Sequence, residues 1–406
     1  MDFEALVAPD HPVRGLWAMV EALDLSEFYA AIEARGSTPG APATDPKILL
    51  ALWLQANIEG IGSARLLARL CERDAPYRWI CGGVSVNYHG LADFRVAHGK
   101  KLDNLLTQVI AALMKRGVVK LNRVAHDGMK VRASAGAASF RRRQSLERCL
   151  KEAQEQVRRL KREVEEDGSA SSRREKAARE RAAAEREANI AAALETMAEL
   201  EEKQAAPDRQ SPSMVKRRRE PRASTTDAEC RVMKMPDGGF RPAYNVQLAT
   251  DESGAIVGAD VTNDGTDYAQ VTPMLDQLEQ RTGKVPREYL VDGGYVKLEN
   301  IEAISNRGAT VYAPVPTPKD KRVDPHEPKS ADSLAVASWR VRMNSEDGKR
   351  IYVQRGALAE RTNADLREHR RLDRLKVRGL AKVKAVVLLG ALALNLMKLL
   401  SVGGPT

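Results

Sequence analysis

Two short apolar runs in the chain end in an aspartate followed by glycine: His126-Asp127-Gly128 and Val291-Asp292-Gly293-Gly294. In open α/β sheets, functional groups gather at the carboxyl ends of strands, and both runs read as such ends. A glycine after each acid lets the backbone turn away without steric cost and leaves the carboxylate accessible. If the two strands are neighbours, their carboxylates converge. Two ionised carboxylates at close range repel unless a cation lies between them, and hard oxygen donors suit Mg²⁺ or Mn²⁺. A third acid has to come from a helix packed on the sheet. Glu360 stands in such a stretch, where Leu358 and Leu366 would face the core and Arg355, Arg361 and Arg367 flank the acid. Arginines in that pattern fit a salt-bridged surface, or a metal-ligating Glu beside residues that hold DNA phosphates. Asp-Gly is also ordinary turn chemistry, so spacing alone leaves both readings open.

The elements needed to position these acids can be read from periodicity. Val118 to Ala125 is short and β-branched and predicts a strand ending at His126-Asp127-Gly128. Phe240 to Thr250 and Ala255 to Thr262 predict a hairpin turning at Asp251-Glu252-Ser253-Gly254. A helix over 268–281, a strand over Glu288 to Val291, a helix over 298–306 and a strand over 310–315 follow. Residues 316–345 are polar and Pro-rich and read as a loop. A helix over 356–376 and an apolar helix ending near Leu400 close the series. This order describes an α/β sheet with helices supplied from both sides.

Ahead of the first strand, residues 10–115 read as helices separated by turns. Asp45-Pro46 and Ser63 are helix starts, and Leu66, Leu67 and Leu70 share one face. Short helices with basic faces suit helix-turn-helix DNA binding. His89, Arg95, His98, Lys100 and Lys101 are candidate contacts, or else solvated surface charges. Between the first strand and the hairpin the composition shifts. Leu146, Leu150, Ala153, Val157, Leu160 and Val164 alternate steps of four and three, which is a heptad seam. Asp167 to Ser172 is a turn, and a second helix carries Ile190, Leu194, Met197 and Leu200. Two such helices fold back as an antiparallel hairpin; a dimer through the seam is the competing arrangement. Residues 208–232, with Lys216-Arg217-Arg218-Arg219, read as a mobile linker.

Composition narrows the partners. The 406 residues carry a net charge of +10, which favours a polyanion such as nucleic acid. Hydrophobic residues at 43% exclude a largely disordered chain. The four cysteines form no CxxC pair and read as reduced thiols. Met-Asp-Phe-Glu-Ala lacks the features of a signal peptide. The stretch from Ala385 to Leu400 reads as too short for a membrane span and as a buried helix. No membrane partner is expected, and the thiols suit a cytosolic protein.

Taken together, these motifs resemble the DDE transposases of bacterial insertion sequences. Leu6 to Pro12, Asp45-Pro46 and Asp93-Phe94-Arg95 resemble their helical N-terminal domain. His126 to Val131 resembles the first-Asp motif, Gly239 to Asn263 the second and third strands, and Val291 to Tyr295 the second-Asp motif. Tyr352, Arg355, Glu360 and Arg367 resemble the tyrosine, arginine, glutamate and basic residue around the final Glu. Met129 stands where Thr is more usual, Gly293 where Ala is common, and Arg367 in place of Lys; four residues rather than three separate Arg355 from Glu360.

The resemblance implies a ribonuclease H-like catalytic domain whose triad is Asp127, Asp292 and Glu360. It also implies two Mg²⁺ (or Mn²⁺) ions held by those residues, and double-stranded DNA as substrate. Expected DNA contacts are Arg95, Lys100, Lys101, Arg141, Arg142, Arg143, Lys216, Arg217, Arg218, Arg219, Tyr352, Arg355 and Arg367. The basic clusters have a solubilising surface as their alternative role. The expected layout is a helical DNA-binding domain over 1–116, a first catalytic segment over 117–139, a helical-hairpin insertion over 140–207, a basic linker over 208–238, and the rest of the catalytic domain over 239–406. Action as a homodimer or higher multimer on DNA is expected. A DNA-binding repressor without catalysis, and a nuclease without strand transfer, are the alternative functions.

Overall fold

The structure is a computed structural model that describes residues 2–32, 43–165, 170–205 and 220–403. The chain divides into two compact units. One comprises Met1–Val131, Asn245–Leu375 and Ala381–Thr406, the other Arg132–Tyr244 and Lys376–Leu380.

The first unit begins with helices α1 (Pro12–Ala22), α2 (Ser26–Ala30), α3 (Pro46–Ile58), α4 (Ala64–Arg73), α5 (Ala75–Cys81), α6 (Tyr88–Ala97) and α7 (Gly99–Lys115). Side-chain caps fix several starts: Asp45 accepts from the Lys47 amide, Ser63 from that of Leu66 and Asn87 from that of Gly90. Helix α3 is apolar all round, and its residues from Ile48 to Asn57 are buried, as expected of a central helix.

The first strand differs from the sequence reading. β1 runs Arg123–Arg132, so Asp127 sits in mid-strand rather than at a strand end. The β-branched pair Val118-Val119 instead closes α7. Gly117 turns left-handed (φ 70°), both valine amides donate to the Leu113 carbonyl, and Leu121 at φ 56° interrupts any extended run.

Strands β5 (Phe240–Asp251), β6 (Ile256–Thr262), β7 (Glu288–Leu290) and β8 (Thr310–Tyr312) complete the sheet of this unit, in the order β6-β5-β1-β7-β8. β5 and β6 are antiparallel; β1, β7 and β8 are mutually parallel. Helices α10 (Val271–Thr282) and α11 (Leu298–Asn306) connect them. This mixed sheet with flanking helices is consistent with a ribonuclease H-like fold.

Two further readings are corrected here. The expected loop over 316–345 contains helix α12 (Leu334–Asn344), capped by Ser333 and buried through Val336, Trp339 and Met343. The expected helix over 356–376 is α13 (Glu346–Ala364), followed by one wide turn, Asp365–His369. It starts ten residues early because Ser345 caps it through the Gly348 amide at 3.0 Å. Its continuation is stopped at Arg371, whose φ is 57°.

The last helix, α14 (Leu380–Ser401), has the length and apolarity to cross a membrane, contrary to the expectation that it is too short. Most of it is nevertheless buried in protein. Asn395, fully buried, accepts from the Ile256 amide at 2.9 Å and donates to the Ile256 carbonyl at 2.8 Å. That double bond ties the helix to β6.

The second unit holds α8 (Arg143–Glu165) and α9 (Ala170–Ala205), packed against each other. Leu146 and Ala153 meet Ile190, Ala193 and Met197 in one cluster, and Val157 and Leu160 meet Ala183 in another. Contacts that climb one helix as they descend the other make the pair antiparallel. Residues 166–169 of the expected turn lie outside the described residues, and Ala170-Ser171-Ser172 already belong to α9.

Of the expected mobile linker, residues 208–219 lie outside the described residues, and those from 220 on are held in place. Ala223–Ser224 (β3) pairs with Phe140–Arg141 (β2), and β4 (Arg231–Lys234) pairs with the start of β5. The buried carboxylate of Asp227 accepts from Tyr244 Oη at 2.7 Å and from the Gly379 amide at 3.3 Å, an anchor that composition does not reveal.

Candidate active site

The sheet register brings the two aspartates together. Ala125 of β1 pairs with Leu290 of β7 in parallel. Two residues further along, Asp127 therefore stands beside Asp292 on strands about 4.8 Å apart. Asp292 follows β7 directly and caps the one-turn helix Gly293–Tyr295 by accepting from the Gly294 amide at 2.8 Å.

Asp127 is mostly buried, its side chain 16% exposed. Burial pushes its carboxyl up to about 6. The Arg355 guanidinium opposes the shift, and the Asp292 charge adds to it. Helix α13 supplies what faces Asp127. Asn363 Nδ2 donates to Asp127 Oδ2 at 2.9 Å, and Arg355 Nη1 lies 3.6 Å from Oδ1. Arg355 Nη2 also lies 3.8 Å from Glu360 Oε1. Arg355 thus stands between the two acids as a counter-cation. Tyr352, one turn earlier, is half-buried, and burial raises its phenol against the pull of Arg355.

Glu360 is the outlying acid, with 71% of its side chain exposed. Among the described residues, no three or more acidic, histidine or cysteine side chains are close enough to hold a metal ion as they stand. In kind, the donors suit a divalent cation: all three are carboxylates, and Asp127 and Asp292 are near enough for the charge of one to raise the other. In position, Glu360 reaches Asp127 only through Arg355.

A buried polar layer lies under Asp127. His126 Nδ1 is 2.7 Å from Tyr289 Oη, and burial drives the imidazole down to about 4, so it is neutral at physiological pH. Asp267 accepts from Asn245, Gln247 and Lys130. Although burial opposes it, the Asn245 amide and the Lys130 ammonium hold Asp267 below the usual carboxylate range. Gly128 has a different purpose from the one its sequence suggests. A Cβ there would collide with Asp267 Oδ1 and lie 2.8 Å from Gln247 Nε2, so the glycine makes room for this layer rather than for a turn.

Sequence reasoning missed Asn363, Asp267, Asn245, Gln247 and Lys130. A signal existed for two of them: Asn245 and Gln247 alternate within Ala243–Ala249, where the other residues are apolar, so both leave the same face.

The expected DNA contacts fall in several places. Arg95 is buried, with its guanidinium 4.6 Å from the Trp53 ring centroid and Nη1 donating to the Gly62 carbonyl at 2.6 Å. Its role is in the core, a correction to the reading of a surface contact. Lys100 is exposed, and Lys101 stands 5.5 Å over the Phe28 ring. In the second unit Arg141 is exposed, Arg142 pairs with Glu220 at 2.8 Å, and Arg143 pairs with Glu201 at 2.6 Å. Arg367 pairs with Glu368 at 3.3 Å. Lys216, Arg217, Arg218 and Arg219 lie outside the described residues.

A transposase DDE domain matches residues 214–396, and a transposase domain (DUF772) matches residues 1–96. Asp292 and Glu360 fall inside the first match, while Asp127 falls between the two and is singled out by the sheet. The chain belongs to the DDE transposases, of the kind carried by bacterial insertion sequences. No curated protein and no solved structure matches it. A DNA transposase acts on DNA, so a net charge of +10 has its polyanionic partner.

Proposed function

We propose that the chain binds the terminal inverted repeats of its insertion sequence and carries out metal-dependent strand cleavage and strand transfer, with Asp127, Asp292 and Glu360 as the catalytic acids. The observation that carries this reading is the register that sets Asp127 beside Asp292, with α13 placing Arg355 against Asp127 and Glu360 next to Arg355. In this reading the domain layout is the one expected from sequence. A helical DNA-binding part spans 1–116, and a ribonuclease H-like part over 117–139 and 239–406 is interrupted by the hairpin of 140–207. Residues 208–238 make the connection back to the sheet. The protein works in the cytoplasm on nucleoid DNA, as a dimer or larger multimer.

A pair of divalent ions, Mg²⁺ or Mn²⁺, supplies Lewis acidity to the scissile phosphate and to the attacking oxygen. Asp127 and Asp292 are the residues that would hold them, joined by Glu360 once Arg355 gives up its contact. Asn363 fixes one oxygen of Asp127 and leaves the other directed at the site. Burial of Asp127 excludes water, which strengthens every charge interaction at that point. Arg355, with Tyr352 and Arg367, lies where the DNA backbone passes. Lys100, Lys101, Arg141, Arg142, Arg143 and Lys216 to Arg219 extend that grip, so affinity falls steeply with salt.

The test uses duplexes ending in the element's own repeats, with Mg²⁺ or Mn²⁺. Asp127→Ala, Asp292→Ala and Glu360→Ala each reduce cleavage by roughly a thousandfold or more, the scale seen when a member of a catalytic unit is removed, while a gel-shift assay shows the ends still bound. Cleavage preserved in any of the three removes that residue from the site. Joined products distinguish a transposase from a nuclease, and end binding without cleavage in the parent protein would mark a repressor.

A further inference from the structure

The three-acid pattern leaves a fourth carboxylate unused. Asp267 lies at the start of the short turn that leads into α10, its side chain 18% exposed. Oδ1 alone accepts from three donors: Asn245 Nδ2 at 2.6 Å, Gln247 Nε2 at 2.8 Å and Lys130 Nζ at 3.1 Å. Asn245 and Gln247 belong to β5, and Lys130 belongs to β1, three residues past Asp127. One oxygen therefore ties the strand carrying the first acid to its neighbour.

The network continues to the second acid. Gln247 Oε1 accepts from Tyr295 Oη at 2.6 Å, and Tyr295 closes the turn that Asp292 caps. One glycine marks where the carboxylate is wedged, and a second lies in contact with it. A Cβ on Gly128 would collide with Asp267 Oδ1, and one on Gly294 would stand 3.4 Å from Asp267 Oδ2. The residue after the first acid therefore lacks a side chain where Asp267 sits, whereas a Cβ on Gly294 would meet Asp292 Oδ1 first, at 3.0 Å. A simple ion pair with Lys130 would require neither the convergence of donors nor the glycine at 128.

We propose that Asp267 is a positioning residue, which holds the strand of Asp127 through Lys130 and the Asp292 turn through Gln247 and Tyr295, and so sets the spacing of the two aspartates. The proposal rests on the site reading above. Outer partners of this kind typically change metal affinity by 10–100-fold when removed.

The test uses the full chain and two measurements, Mn²⁺ binding by calorimetry and amide hydrogen exchange. In Asp267→Asn, which keeps the shape and removes the charge, the Mn²⁺ Kd rises at least about tenfold. Exchange at Gly128, Gly294 and Tyr295 accelerates while exchange in α3 stays as in the parent. Tyr295→Phe removes only the last link, so it accelerates exchange over 293–295, leaves Gly128 alone, and serves should the Asp267 variant fold poorly. Parent-like Mn²⁺ affinity together with parent-like exchange at these amides in Asp267→Asn overturns the proposal, as does unchanged exchange over 293–295 in Tyr295→Phe. A parent protein whose Mn²⁺ binding is indifferent to Asp127→Ala would instead sink the metal reading of the site, and the exchange data would still decide the role of Asp267.

Discussion

The α8–α9 hairpin and the layer beneath Asp127 exclude water by opposite means. In the hairpin, Leu146, Ala153, Ile190, Ala193 and Met197 face one another and the charges face outward. Every contact there is short-range in shape and indifferent in chemistry, since any apolar side chain of similar volume would serve. Under Asp127 the buried groups are an aspartate, a lysine, two amides, a histidine and two tyrosines, and each must find its partner. The hairpin gains stability from what it buries. The site loses some, because Asp127 is kept in a place that disfavours its charge.

Three changes would break or sharpen that contrast. The largest effect is expected from Leu146→Ala in the hairpin, where cavity formation costs about 2–5 kcal/mol. Calorimetry should show a weakened transition, and Mn²⁺ binding should stay at the parent level; a loss of binding would mean that the two regions are not separable.

Next is Asp127→Asn. The carboxyl titrates near 3.9 in the unfolded chain and at about 6 in the fold, so between those values the folded state holds more protons. Stability therefore falls as pH rises through that window, by up to about 3 kcal/mol for a shift of about two units. The metal-free Asn variant escapes this loss: it should melt higher than the parent at pH 7 and lose that advantage by pH 4, while being inactive. A variant no more stable than the parent at neutral pH would show that Arg355 and Asn363 already compensate the charge.

The smallest effect is expected from Arg143→Ala, which removes an exposed ion pair with Glu201 at the base of the hairpin. Such pairs contribute little in water, so the melting temperature should barely move. A clear drop would mean that the seam depends on charge after all.

The same contrast decides what could be read in the sequence. The hairpin seam was legible because heptad spacing is a one-dimensional signal, and α11, β5 and β6 were legible for similar reasons of period and turn chemistry. The three acids stood out by type and by their flanking residues. Asp267, Lys130 and Asn363 did not, because nothing in a linear pattern says that residues 130, 245, 247 and 267 share one oxygen. β1 was misplaced because Val118-Val119 has strand chemistry but serves to cap α7, and α12 was missed because Pro and charge around it mask the spacing of Val336, Trp339 and Met343. Arg95 reads as a surface cation until Trp53 is found beneath it.

Helix α14 carries a consequence for how the chain is made. Hydropathy alone would sort it with membrane anchors, yet the amide of Asn395 has its seat on Ile256, 139 positions earlier. At the usual pace of translation that seat leaves the ribosome roughly ten seconds before the helix does. The nascent segment therefore emerges facing a receptive strand of its own chain, and intramolecular capture competes from the first moment with any targeting factor that reads hydrophobicity.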